Sequence, residues 1–243
     1  MESTFDIEEQ KKEGKKIIST GQGEIDKKIG GGIPAGSLVL IEGQSDAGKS
    51  VLCQQLIWGS LKDNVKVVLF TTENTVKSMV TQMDSLGLYI LDYLLLGWFK
   101  IYMLKASQVK TNPQQTVDTL LEVMEKTAGY DLYIIDSLTP IVSQVGGEIT
   151  LAYFERCKTL CDRGKTIINV AHTYAFEQDF LVRLRSICDA HIRLTIEKVG
   201  DKLVKSMEVA KIRGAAQNTG NILAFDVEPE IGMKIMPMSR AKA

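Results

Sequence analysis

Apolar residues recur along the chain in two rhythms. Unbroken runs of five to seven residues at Leu38–Glu42, Lys66–Thr71, Leu132–Asp136 and Thr166–His172 have the length and content of strands buried on both faces. Between them, Val51–Ser60, Thr116–Lys126 and Thr150–Asp162 carry apolar residues at helical spacing, as in the stripe Val117, Leu120, Leu121 and Met124. Buried strands alternating with amphipathic helices imply right-handed crossovers and a parallel sheet, the α/β class. Three later runs, Ala190–Glu197, Lys205–Lys211 and Leu223–Val227, follow one another too closely for helical crossovers and predict an antiparallel extension at one edge. The longest apolar stretch, Leu86–Leu104, is broken by Asp92, Lys100 and two glycines, so it does not read as a membrane span. It predicts the end of a helix, a turn near Gly97 and a buried strand over Phe99–Met103. The Lys- and Glu-rich residues 1–18 read as a flexible, solvated arm ahead of one domain covering 19–243, and no internal repeat is visible.

Composition changes this picture little. The 243 residues are 44% hydrophobic and 24% charged, with a formal net charge of −1, which suits one large cytoplasmic domain and supplies no general attraction to nucleic acid or anionic membrane. Cys53, Cys157, Cys161 and Cys188 lack CxxC spacing, and no cleavable signal sequence is apparent, so reduced thiols are expected. Cys157 and Cys161 share a helix face, but neither His172 nor His191 stands at ligand spacing from them; packing is the expected role.

The chemistry begins at Gly43–Ser50, GQSDAGKS, which fits GxxxxGK[ST] and lies between an apolar strand and a helix. Such a loop turns tightly at its glycines and aims backbone N–H groups, with the helix N-terminus behind them, at phosphate. The expected nucleotide contacts are therefore Gly43, Gln44, Ser45, Asp46, Ala47, Gly48, Lys49, Ser50 and Val51, with Lys49 reaching the β- and γ-phosphates and Ser50 offering a hydroxyl to Mg²⁺. Asp46 inside the loop would oppose the phosphates if it turned inward; a turn conformation facing solvent is the expectation.

Strand ends supply the remaining candidates. Leu132–Ile135 terminates in Asp136, the Walker B arrangement, whose carboxylate would hold Mg²⁺ together with Ser50. Ser137 follows where a second acid could have stood, so the water-orienting base is sought at Glu73, which closes the strand before it; the competing role is a polar loop residue capping the helix near Val76. His172 and Thr173 end another strand on the same crevice, placed to sense the γ-phosphate or simply to hydrogen-bond within the structure. Lys211 and Arg213 alternate onto one strand face, presenting paired donors either to solvent or, as an arginine finger, to the nucleotide of a neighbouring subunit.

These residues carry a resemblance. Thr20-Gly21, Asp26, the glycine run Gly30–Gly32 with Pro34, and the phosphate loop resemble the opening of RecA-type ATPases of the KaiC family, a likeness that extends to about Gly232. It implies a RecA-like P-loop NTPase fold with ATP and Mg²⁺ as cofactors, and maps the first of the family's paired catalytic acids onto Glu73 and the second onto Asn74. It further implies Asp136-Ser137 as Walker B, and Lys211, Arg213 and Gly214 as the segment that reaches the adjacent subunit's nucleotide in a hexameric ring. The single domain and the run Thr71–Ser78, TTENTVKS, resemble the archaellum branch of the family. That likeness implies a cytoplasmic regulator with slow or absent hydrolysis, docking on the motor's separate ATPase and on a membrane-anchored scaffold protein, without a transmembrane segment of its own. The alternative is an active DNA-dependent ATPase with Glu73 as base and loops over Tyr174–Arg185, an aromatic and basic mix, contacting the strand.

Overall fold

The computed structural model describes residues 16–199, 202–217 and 219–236. Nine strands form one sheet: β3 (Leu38–Gly43), β4 (Val67–Thr71), β5 (Phe99–Met103), β6 (Leu132–Asp136), β7 (Thr166–His172), β8 (Ala190–Val199), β9 (Lys202–Ile212), β10 (Ile222–Glu228) and β11 (Gly232–Met236). Their spatial order is β11-β10-β9-β8-β3-β7-β6-β4-β5. The strands from β8 to β5 run parallel, and β9, β10 and β11 add the antiparallel edge. One expectation shifts here: Ala190–Val199 does not open the antiparallel extension but pairs in parallel with β3, and the direction reverses only at β9.

Helices cover both faces. Val39, Ile41, Val67, Leu69 and Ile134 face α2 (Lys49–Lys62) and α3 (Val76–Ser85), while Leu38, Leu40, Val68, Phe70, Tyr133 and Ile135 face α6 (Pro113–Lys126), α7 (Thr139–Asp162) and α8 (Gln178–Ile187). Strands apolar on both sides are thus explained by two cores, one per face. The expected helix over 150–162 is the second part of α7, whose first part is set off by Gly146 at φ 76°. Short elements at α1 (Gly23–Lys28), α4 (Leu91–Leu95) and α5 (Ala106–Thr111) are the other α-helices among the described residues. Among the described residues no helix is long and apolar enough to cross a membrane. Two further expectations change. Phe99–Met103 is a strand, but as the sheet's outer edge only Phe99 is buried and Met103 is half exposed. Residues Tyr174–Arg185 are not a loop: a 3-10 turn at Thr173–Ala175 leads into α8, with Phe176, Leu181 and Leu184 in the core.

Residues 1–15 of the expected arm lie outside the described residues; Ile17–Ile18 forms β1 and pairs with β2 (Ile33–Pro34), with Ile18 buried. The Thr-Gly motif that follows is a packing device. The Asp26 carboxylate accepts from the Ser19 hydroxyl at 2.6 Å and from the Thr20 N–H and hydroxyl at 2.8 Å each, bending the chain over α2. There Gly59 meets it so closely that a Cβ would stand 2.3 Å from the Gly21 nitrogen and 2.4 Å from the Ser19 oxygen. Backbone cannot yield as a side chain can, so Gly59→Ala is expected to cost about 2 kcal/mol even after the gain in helix propensity, read as a fall of about 4–8 °C in the thermal midpoint.

Candidate nucleotide site

Gly43 ends β3 beside β8, and the crowding there explains the residue: a Cβ would lie 2.4 Å from the Leu194 carbonyl oxygen. Gly48, the N-cap of α2, has φ 95°, and its Cβ would touch the Phe225 ring at 3.0 Å. Gly43 is therefore required by the neighbouring strand, and Gly48 by both its neighbour and its left-handed backbone, beyond any need to approach phosphate. Asp46 adopts φ 60° and is exposed, as expected of a turn aspartate. The Gln44 side chain accepts the Ile196 N–H at 3.0 Å, anchoring the loop to β8.

A cleft of about 540 Å³ opens over the loop, lined by Ser45, Asp46, Gly48, Lys49, Ser50, Val51, Glu73, Asp136, Ser137, His172, Tyr174, Lys205 and Val227. A cleft of similar size, about 530 Å³, lies between β5 and α6, but apart from Lys105 its lining is uncharged and it has no phosphate-binding features. The first cleft brings together the ends of β3, β4, β6 and β7, the crevice at the carboxyl ends of a parallel sheet.

Lys49 is buried, and its ammonium donates to the Gln44 carbonyl at 2.6 Å and stands 3.4 Å from His172 Nδ1. Burial lowers the lysine below its ordinary value, with Asp136 and Glu73 opposing. Burial and the nearby Lys49 lower His172, which is thus neutral at pH 7 with Nδ1 free to accept. Tyr174 stacks on the imidazole with ring centroids 5.0 Å apart. Asp136 is almost wholly buried; burial pushes its carboxyl up to about 6, Glu73 adds to the rise, and a hydrogen bond from Ser50 and the Lys49 charge only partly offset it. A carboxylate sunk this deep beside a hydroxyl is a charge that the protein alone leaves under-compensated. A divalent cation held between Asp136 and Ser50 would supply the balance, so the residues present fit Mg²⁺ with a nucleotide.

Glu73 is exposed on this crevice and free of capping duty: Thr75 caps α3 in a box with Ser78. Asn74, at the position of the family's second acid, accepts from Ser78 at 3.1 Å and Gln82 at 3.0 Å and so serves the helix start. Tyr174, Lys205 and Val227 were not legible as lining. Lys205 and Val227 belong to strands whose approach to the loop depends on the order of the sheet.

Lys211 and Arg213 are not in this cleft. Lys211 is level with Leu40 through His191, and the Arg213 N–H bonds the Asp189 carbonyl, beside Leu38 at the start of β3. Leu38 lies five residues before Gly43, roughly 16 Å along the strand. Their cations instead donate to the last carbonyls of α8: Lys211 to Arg185 at 2.7 Å and Arg213 to Ser186 at 3.3 Å, with Asp189 3.6 Å from Arg213. One expectation changes: β9 ends at Ile212, so Arg213 is a turn residue and the two cations share a helix end, not a strand face. All four cysteines are buried as free thiols, and among the described residues no cluster of His, Cys, Asp or Glu could by itself hold a metal.

Glycine-turned loop, buried lysine, hydroxyl and strand-end carboxylate at the carboxyl edge of a mainly parallel sheet define a P-loop nucleotide-binding fold of the RecA type. The profile of the KaiC ATPases matches residues 18–240, and the chain belongs to that family. It is 32% identical over 227 residues to the archaeal flagellar ATP-binding protein FlaH of Methanocaldococcus jannaschii, covering 90% of this chain and 94% of the relative. Identity to FlaH of Sulfolobus acidocaldarius is 29% over 230 residues, covering 93% of this chain and all of the relative. The crystal structure of the flagellar accessory protein FlaH from M. jannaschii superposes with a TM-score of 0.78 at 28% identity, covering 91% of this chain and all of that one.

Proposed function

We propose that this chain is the ATP-binding regulatory and assembly component of an archaellum motor. Mg²⁺·ATP is held by Gly43–Ser50, Val51, Asp136 and His172, and Lys211 and Arg213 reach the phosphates bound by the next chain, so that ATP favours a ring, a hexamer on the family's pattern. The ring docks on the motor's ATPase and on a membrane-anchored scaffold in the cytoplasm, with slow or absent hydrolysis. One observation carries the reading: neither cation lines the cleft of its own chain, Arg213 standing by the start of β3 and Lys211 level with Leu40, so a nucleotide that they reach belongs to another chain. The FlaH relatives, which cover nearly the whole chain, support the archaellum assignment. The engagement of Asn74 in the start of α3 supports weak turnover, leaving Glu73 as the remaining carboxylate for a water.

The test is mass measurement with and without Mg²⁺·ATP, coupled to a turnover assay. Expected is ATP-dependent association with negligible phosphate release, weakened about tenfold or more in Arg213→Ala. Association that survives unchanged in Arg213→Ala would overturn the contact between chains. Rapid hydrolysis stimulated by single-stranded DNA would overturn the regulatory reading and favour the recombinase-like one.

A further inference from the structure

A buried ionic network joins the phosphate loop to the strand that carries Lys211. Glu42, immediately before Gly43, has no exposed surface, and its Oε1 accepts from Arg185 Nε at 2.9 Å and from Arg185 Nη2. His191 Nε2 lies 2.6 Å from the same oxygen, Arg193 Nε lies 3.9 Å away, and Oε2 meets no donor among the described residues. Burial alone would raise this carboxyl, but the bonds from His191 and Arg185 outweigh it and hold it below the ordinary range. A central strand of Leu, Val and Ile has no packing need for such a group, and apolar residues in place of a whole buried ion set are often neutral or stabilising.

What Glu42 grips explains its presence. The guanidinium of Arg185 is bound to Glu42, while the backbone carbonyl of the same residue accepts Lys211 and the next carbonyl accepts Arg213. These are orphan carbonyls in the last turn of α8, a natural seat for cations. A second route runs across the sheet: His191, bonded to Glu42, is the cross-strand partner of Lys211, with a bulge between His191 and Ile192 at that point, and Arg193 reaches Glu208 of β9 at 3.3 Å.

We infer that Glu42 and Arg185 are a positioning pair: they lock the end of α8 against the phosphate loop and so set where Lys211 and Arg213 are presented to the neighbouring chain. The inference rests on the contact between chains proposed above. It assigns to Glu42 and Arg185 no contact with the nucleotide of their own chain; they act through the two cations.

The experiment uses the full chain and the variant Arg185→Met, with Glu42→Gln/Arg185→Met as a second variant in which the buried charge goes with its partner and the fold is spared an unpaired carboxylate. Three quantities are read: Mg²⁺·ATP affinity at concentrations too low for association, ATP-dependent association, and association with Lys49→Ala at ATP concentrations that leave its own site unfilled, a chain that offers its cations without bound ATP. Expected is a one-sided defect. ATP affinity stays within about threefold of the parent, self-association weakens about tenfold, and mixing with Lys49→Ala restores pairing because Arg185→Met still receives. A residue that merely supports the fold would damage giving and receiving alike. Undiminished self-association in both variants, a fall in ATP affinity as large as the fall in association, or no restoration by Lys49→Ala overturns the inference. Arg213→Ala separates the two levels: if it too associates normally, the contact between chains is at fault; if it fails while Arg185→Met associates normally, the positioning pair is.

Discussion

Replacing Lys49 with alanine is expected to weaken Mg²⁺·ATP binding by about 100-fold or more, measured by isothermal titration calorimetry. The ammonium is buried, with one carbonyl and a neutral imidazole as its close partners, and desolvation lowers its pKa. Its charge is thus poorly compensated until phosphate arrives. Each charge-assisted bond to phosphate is worth about 1.5–3 kcal/mol, so bonds to two phosphates account for a loss of about 3–6 kcal/mol. The same substitution relieves the fold of a buried cation, so the thermal midpoint of the nucleotide-free protein is expected to hold or rise. An affinity within threefold of the parent would show that the nucleotide lies elsewhere. Because the proposed ring depends on ATP, the variant alone is also expected to remain unassociated in ATP at concentrations where the parent assembles.

The parts of this site that were legible in the sequence are those written in contiguous residues. β6 and β7 begin and end where their apolar runs do, and β3 and β4 differ from theirs by one residue, because strands buried on both faces must be apolar throughout. Asp136 and His172 were found because the last residues of the parallel strands beside the phosphate loop lie on the crevice. Burial at an edge was not legible: Phe99–Met103 reads like a central strand, yet among the described residues the sheet stops there and Tyr102 and Met103 are exposed. Nor was α8, whose Tyr174–Arg185 sequence mixes aromatic and charged residues as a binding loop would; its helix is held by Leu181 and Leu184 in the core and by Arg185 on Glu42. Lys211 and Arg213 do act at one place, but not as two positions of a strand: β9 ends at Ile212, and their partners are carbonyls of a helix 26 and 27 residues earlier in the chain, acceptors that leave no trace in side-chain pattern. Short pieces such as β1, β2 and α1 escaped because too few residues carry their period.

Asp136→Asn is expected to separate the stability of this protein from its use of metal. The Asp136 carboxyl is pushed by burial up to about 6 from an ordinary 3.8. At pH 7 it is ionised in both the folded and the unfolded chain, so the folded state bears the cost of a disfavoured charge, about 3 kcal/mol at most on the size of that shift. Below pH 3.8 the group is protonated in both states and the cost is absent; it grows as pH rises from about 4 to 6 and is constant above. Asparagine keeps the shape and an acceptor for Ser50 without the charge. The nucleotide-free variant should therefore be more stable at pH 7 by about 1–3 kcal/mol, a rise of about 3–10 °C in thermal midpoint, with the advantage vanishing as the pH is lowered through this window. The gain should be matched by a loss: Mg²⁺, which tightens ATP binding to the parent, should no longer do so, since the charge that makes the empty site costly is the one that balances the cation. Equal or lower stability of the variant at pH 7, or an undiminished effect of Mg²⁺, would mean that Asp136 is compensated within the protein and that the cation is held by other groups.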